Sequence, residues 1–318
     1  MSAGAIVQCG AYFAAYASTI THATLYHRRE IVSGLKNLIG RKSAFANSKD
    51  VHTRLMRSYR EVPEWVYLIV LCASVGVGVA GIAVYPTNTF PAPVFYGVLL
   101  AVIFTIPCGI IKAITNVEVT LGVVSEVLGG LWFAGDVTAM VYMKMFGSVI
   151  TVHALHFAQD LKLAHYTHIP PWVTFSSQMF ATLASTFVCT AMLNYQMTKI
   201  PDVCAPGQKD HFTCPGLNSF FTASVLWGAL GTKKIVGIGA IYNGLLWSFL
   251  IGVLLPVPFY FLSRKWKIFR YFHAPIFLSG GFIWSPYNLM NIWPAIPIAL
   301  LFNSYVKKRY LGWWSKYS

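Results

Sequence analysis

The sequence predicts an all-α fold, a polytopic transmembrane helical bundle with some broken or re-entrant helices. Three observations predict it. Of the 318 residues, 56% are hydrophobic and 11% are charged, against about 25% charged in ordinary globular chains. Apolar runs near the length that crosses a roughly 30 Å hydrocarbon core recur along the chain. Several of these runs are interrupted by Pro and Gly. The net charge of +14 would point to nucleic acid in a soluble chain. Here the bases cluster in short loops, as cytoplasmic loops of membrane proteins do, so the expected partner is a lipid bilayer and not nucleic acid.

Residues 1–318 read as a single transmembrane domain of about nine crossings. The first segment, Ala3 to Leu25, precedes its bases, His27-Arg28-Arg29, and so reads as a span and not as a cleavable leader. Residues 28–62 form a basic loop, placed in the cytoplasm by its excess of Lys and Arg. Pro63 suits the first turn of the second segment, Glu64 to Val84. The third, Val94 to Thr115, carries Pro107 and Gly109 as kink signals. A fourth is expected over Val117–Phe133 and a fifth over Val137–Phe157.

The stretch TVHALHFAQDLKLAHYTHIPPWVT, Thr151 to Thr174, reads as a polar hinge with an Asp-Leu-Lys turn. A sixth segment follows from Pro170-Pro171. Residues 199–218 form a Pro/Gly-rich loop on the extracytoplasmic side, where a Cys204–Cys214 disulfide is favoured over two free thiols. Residues 219–235 are apolar but short and suggest a re-entrant hairpin. The seventh segment covers Ala240–Leu262, a discontinuous eighth His273–Asn291 and a ninth Ile292–Val306. Both chain ends lie close to membrane segments, as in a fragment of a longer protein.

Ionisable groups inside apolar segments are costly and mark functional positions. Glu126, in VVSEVLGG, is the foremost. It reads either as a proton-carrying carboxylate or as one held structurally by a base such as Lys112 or Lys144. Lys144 suits a counter-ion or a ligand for a substrate carboxylate. Asp136 reads as a helix N-cap. Glu118 and Lys112 lie near a segment edge and read as structural.

His153/His156 and His165/His168 form two H-x-x-H pairs, a spacing metals can use. A membrane histidine-box oxygenase is the resulting alternative. It is disfavoured because no His-His dipeptide occurs and His22, His27, His52, His211 and His273 are dispersed. No G-x-x-x-x-G-K-[ST] loop is present, and the one G-x-G-x-x-G match, Gly76 to Gly81, lies inside the second apolar segment and not between a strand and a helix, so no ATP-driven pump and no cofactor is expected.

The run DLKLAHYTHIPP resembles the signature region of the oligopeptide transporter family. SYREVPEW (58–65), AITN (113–116), IPDVC (200–204), FTCPG (212–216), FFTASVLWGALG (220–231), GAIYNGLLWSFLIGVLLPVPF (239–259) and WWSKY (313–317) agree with it in order. The resemblance covers essentially the whole chain and places it in the C-terminal half of such a transporter.

It implies a secondary transporter, not an enzyme, multi-pass and expected in the plasma membrane, with an endomembrane as the alternative. The implied activity is proton-coupled uptake of tetra- and pentapeptides or glutathione-like tripeptides by alternating access; a sister branch moves metal chelates. Glu126 would take the proton, Asn116 and Lys144 would shape the substrate site, and Asp160, Lys162, His165, His168, Pro170 and Pro171 would form the gate. A further reading is that a half-length chain transports nothing by itself, because half of the cavity is missing. The sequence departs from the family at His168 and Trp172, where Lys-Ile-Pro-Pro-Arg is usual.

Overall fold

The computed structural model describes residues 3–39, 50–205, 207–212, 214–237, 239–283, 290 and 293–317. Among these the chain is helical and contains no strand, as the sequence predicts. Among the described residues, four helical stretches are long and apolar enough to cross a membrane: Glu64–Val84, Ala92–Thr115, Val137–Thr167 and Asn243–Lys265. Close contacts group the chain into two units.

The smaller unit joins residues 1–18 to 245–318. Helix α1 (Ala3–Tyr26) begins here. Phe13 stacks on Phe249 with ring centroids 4.6 Å apart. The backbone of Gly252 lies so near Ala14 that a Cβ there would sit 2.2 Å from the Ala14 carbonyl oxygen. Only a glycine permits that approach. The predicted seventh segment is two helices, Leu246–Leu254 and Pro256–Lys265. Within the predicted eighth, Ala274–Ile283 is helical, and its Pro286 lies outside the described residues. The predicted ninth is helical from Ala295 and takes π geometry over Leu301–Val306.

The larger unit, Thr19–Gly244, holds the proposed site residues. The predicted basic loop contains two helices, α2 (Arg28–Ile39) and α3 (Val51–Met56). Helix α4 (Glu64–Val84) starts and ends where the sequence places it, with Pro63 as its N-cap. Helix α5 (Ala92–Thr115) runs unbroken through Pro107 and buries Val94, Gly97, Leu100, Ala101, Phe104, Cys108 and Ile111. Their three- and four-residue spacing is one helical face.

Two expectations along this unit are corrected. The fourth segment does not begin at Val117. Asn116 closes α5 with φ 58° and the Thr115 hydroxyl accepts from the Val117 N–H, so the chain stays non-helical until α6 (Gly122–Trp132). The 11 residues of α6 rise only about 16 Å, near half a hydrocarbon core.

The fifth segment and the hinge form one continuous rod: α7 (Val137–Lys144), a π stretch over Met145–Val149, and α8 (Ile150–Thr167). Asp160 and Lys162 therefore sit in a helix and not in a turn. Nothing in ALHFAQDLKLAHYT breaks a helix, whereas Pro170-Pro171 does. The real connection is His168-Ile169-Pro170 before α9 (Pro171–Lys199).

Close glycine contacts hold α6 in place. Gly129 faces Met140 of α7, and a Cβ on Gly130 would meet the Trp227 carbonyl oxygen at 1.9 Å. Trp227 belongs to a helix that runs from α10 (Pro215–Ala223) into π geometry over Ser224–Gly231. Gly231 then turns the chain with φ 83°, and the buried Thr232 hydroxyl donates to the Val127 carbonyl at 2.6 Å. Asp136 caps α7 by accepting from the Ala139 N–H at 2.9 Å.

Gly130→Ala is expected to lower the stability of the purified protein by about 1–3 kcal/mol, the cost of overpacking a tight contact. Gly122→Ala, with nothing within 4 Å of the added methyl, should leave it unchanged or slightly raised. Thermal unfolding midpoints in detergent compare the two.

Candidate functional site

Glu126 lies on the face of α6 that turns toward α7 and is 5% exposed. Its Oε1 accepts from Lys144 Nζ at 2.5 Å, and the lysine side chain keeps 25% of its surface accessible. Burying a carboxylate among apolar helices is costly unless a base and hydrogen bonds compensate it. Lys144 supplies the base, and its ammonium also lies 5.0 Å from the centre of the Phe220 ring. Lys144 ends α7 where the π stretch begins, and there Gly147 packs on Leu100 and the Ser125 hydroxyl. A π stretch in a helix frequently marks a functional position. Of the two bases the sequence offers Glu126, the structure selects Lys144. Lys112 is engaged elsewhere, 2.8 Å from Glu118 Oε2, which His156 Nε2 also meets at 3.2 Å.

Asn116 does not join this pair. It lines a cavity of about 370 Å³ between α5 and α8, with Lys112, Gln159 and Lys162 among its other walls. Asp160 accepts from Gln178 Nε2 of α9 at 2.7 Å, which ties α8 to α9 across the turn. Pro170 is the N-cap of α9 and Pro171 its first residue.

Two further predicted gate residues, His165 and His168, contact α3, and His168 does so through His52, one of the dispersed histidines. His168 closes α8 in the left-handed region at φ 58°, and its Nε2 lies 3.2 Å from Nδ1 of His52 on α3. The rings stack at 5.2 Å, and Tyr166 stands edge-on to His52. His165 Nε2 lies 3.5 Å from the Thr53 hydroxyl.

Asp50 organises the end of α3. Its Oδ2 accepts from the Thr53 N–H at 2.9 Å and from the Thr53 hydroxyl at 3.1 Å. The Thr53 N–H bond holds the Asp50 pKa below its usual value. The Asp50-Val-His-Thr53 run is a helix-start signature that was open to sequence reading; its docking onto α8 was not. Beneath α3, a cavity of about 720 Å³ is lined by Arg57, Glu61, Tyr67, His165 and Pro171 among others.

The two H-x-x-H pairs are thus drawn to different partners, His156 to Glu118 and His168 to His52. Among the described residues no group of three or more His, Cys, Asp or Glu side chains forms a metal site. In the 199–218 loop Cys204 and Cys214 are joined in a disulfide. The Cys204 N–H donates to the Phe212 carbonyl at 3.0 Å beside it.

A family model described as OPT oligopeptide transporter protein matches residues 1–318. The chain belongs to the oligopeptide transporter family. It is 35% identical over 311 residues to the sexual differentiation process protein isp4 of Schizosaccharomyces pombe, covering 97% of this chain and 39% of that protein. It is 34% identical over 324 residues to oligopeptide transporter 5 of Arabidopsis thaliana, covering 97% and 42%. Glutathione transporter 1 of Schizosaccharomyces pombe is 30% identical over 308 residues, with 96% and 36% covered.

The chain therefore spans about two fifths of the length of these curated relatives. No solved structure matches it. The oligopeptide transporter family comprises transporters rather than enzymes, and with four helices apolar enough to cross a bilayer the chain is a membrane protein.

Two outcomes follow for α3. His52→Ala removes a hydrogen bond of about 0.5–1.5 kcal/mol and should speed amide exchange over residues 51–56 roughly 2- to 10-fold. A carboxylate whose folded pKa is depressed stabilises at and above its unfolded value, near 3.9, and loses that contribution as pH falls through the folded value. The Thr53 amide should therefore keep its protection at and above about pH 4 and lose it only as pH falls through the lowered Asp50 value, and Asp50→Ala should remove it at every pH.

Proposed function

We propose that the chain is part of a secondary transporter that couples proton entry to uptake of small oligopeptides, tetra- and pentapeptides or glutathione-like tripeptides, by alternating access. The family and the names of the relatives support peptide as the cargo. The observation that carries the coupling is the ion pair between Glu126, nearly inaccessible, and Lys144, a quarter of whose side chain remains open.

The chemistry is an exchange of partners. A peptide carboxylate arriving at the open side of Lys144 takes the ammonium by charge-assisted hydrogen bonds. Glu126 is then a buried carboxylate without a base, a state so costly that it takes up a proton. Peptide and proton are now held together. On the other side of the membrane, loss of the proton from Glu126 restores its claim on Lys144 and displaces the peptide. Support for Glu126 in this role is its burial on the short α6, which glycine contacts hold to α7 and to the helix containing Trp227.

In this proposal residues 28–62 face the cytoplasm, supported by their bases. Residues 199–218 face the oxidising exterior of the plasma membrane, supported by the Cys204–Cys214 disulfide. Asp160, Lys162, His165, His168, Pro170 and Pro171 form the cytoplasmic gate. Support comes from the three-residue turn at 168–170 and the contacts of α3 on it.

Proteoliposomes carrying a labelled tetrapeptide test the coupling. An inward proton gradient should drive accumulation, and a protonophore should abolish it. Glu126→Gln should lose gradient-driven accumulation by 10-fold or more, about 1.4 kcal/mol of coupling, while retaining peptide exchange. Undiminished gradient-driven uptake by that variant overturns the proposal.

A further inference from the structure

The cavity between α5 and α8 brings together two residues that the sequence had assigned to separate roles, Asn116 to the substrate site and Lys162 to the gate. Its lining divides into two kinds of surface. Gly109, Ala113, Leu155 and Ala158 are its apolar lining. Asn116, Gln159 and Lys162, all exposed, add hydrogen-bond donors to the lining, and among the described residues their side chains have no hydrogen-bond or ionic partner. Lys112, the fourth polar wall, is already neutralised by Glu118.

An ammonium and two amide groups lining a cavity of about 370 Å³ suit a small anion with an apolar body. The ammonium supplies the charge, and the amide N–H groups fill the remaining lone pairs of a carboxylate. A lining that is mostly apolar with a few polar groups is the usual composition of a ligand pocket in this size range.

Its position gives the ligand. Lys162 lies on the same helical rod as Lys144, about 27 Å further along its axis at 1.5 Å per residue. It is one turn before His165, where α3 docks. We infer that this cavity is a second carboxylate station for the peptide, reached after Lys144 and next to the gate. The peptide's C-terminal carboxylate rests on Lys162, Asn116 and Gln159 while its last side chain lies on the apolar lining. This inference rests on the reading of the protein as a peptide transporter, but it does not depend on proton coupling.

Binding to the purified full chain, measured calorimetrically at fixed ionic strength, tests it. The probes are tetra-alanine and its C-terminal amide. The Glu126→Gln/Lys144→Gln double variant removes the first station without leaving a buried charge. In that background the free acid should still bind at least 10-fold more tightly than the amide. Adding Lys162→Gln should abolish the preference, Lys162→Arg should restore it in part, and Asn116→Ala should reduce it by a smaller factor.

The inference is overturned if acid and amide bind alike in the double variant, or if Lys162→Gln weakens both equally. It is also overturned if Lys162 proves to govern stabilisation by phosphatidylglycerol without any peptide preference, which would make the occupant a lipid phosphate. Unfolding midpoints confirm that each variant is folded. Loss of proton coupling in the vesicle assay leaves this preference untouched, so the two proposals fail separately.

Discussion

The pairing of Glu126 with Lys144 is the constraint on which the larger unit depends. A carboxylate on an apolar helix with little access to water must either meet a cation or be neutral. Meeting the cation requires α6 and α7 to be close, and the glycines at 129 and 130 allow it. Gly129 lies against Met140, and Gly130 lies against the backbone of Trp227. Directly after Lys144 the helix widens into π geometry before it resumes as α8. One ion pair therefore joins a short helix, a long rod and a third helix into a single packed group, with the lysine left accessible on one side.

Because the rod continues through Thr167 without a break, the environment of Lys144 and the far end of α8 are parts of one mechanical element. At that far end the chain reverses in three residues, and α3 rests on the reversal. The His52–His168 contact requires one ring to donate and the other to accept, so it exists only when at least one imidazole is neutral. A permanent cation at 168, as in the family's usual pattern, could only donate to His52, whereas an imidazole there can also accept. The departure at His168 therefore has a structural consequence: the turn is closed by an imidazole pair. Trp172 packs its ring edge-on against Phe175 in the first turn of α9.

Much of the architecture was legible in the sequence because the solvent is lipid. Apolar length defined α4 and α5 nearly to the residue, and Asp136 declared itself as a cap. Where local chemistry competes with hydrophobicity, the reading failed. The 117–121 stretch is apolar enough to extend a span, yet Asn116 in the left-handed region and the Thr115–Val117 bond stop the helix from starting there. At Asp160–Lys162 polarity suggested a turn, but polar residues do not end a helix and prolines do.

What the sequence determined by itself was the helical membrane class, the family, and the residues whose chemistry is out of place in lipid: Glu126, Lys144, Asn116, Lys162 and the histidines near the double proline. The tertiary structure decided which of them meet. It paired Glu126 with Lys144 and not with Lys112, separated Asn116 from that pair and set it beside Lys162, and brought His52 across more than a hundred residues to His168. The reason is physical. Hydropathy and helix-breaking act over a turn or two and are written locally. The partner of a charge or an imidazole is fixed by where helices distant in sequence cross, and that is set by the whole packing.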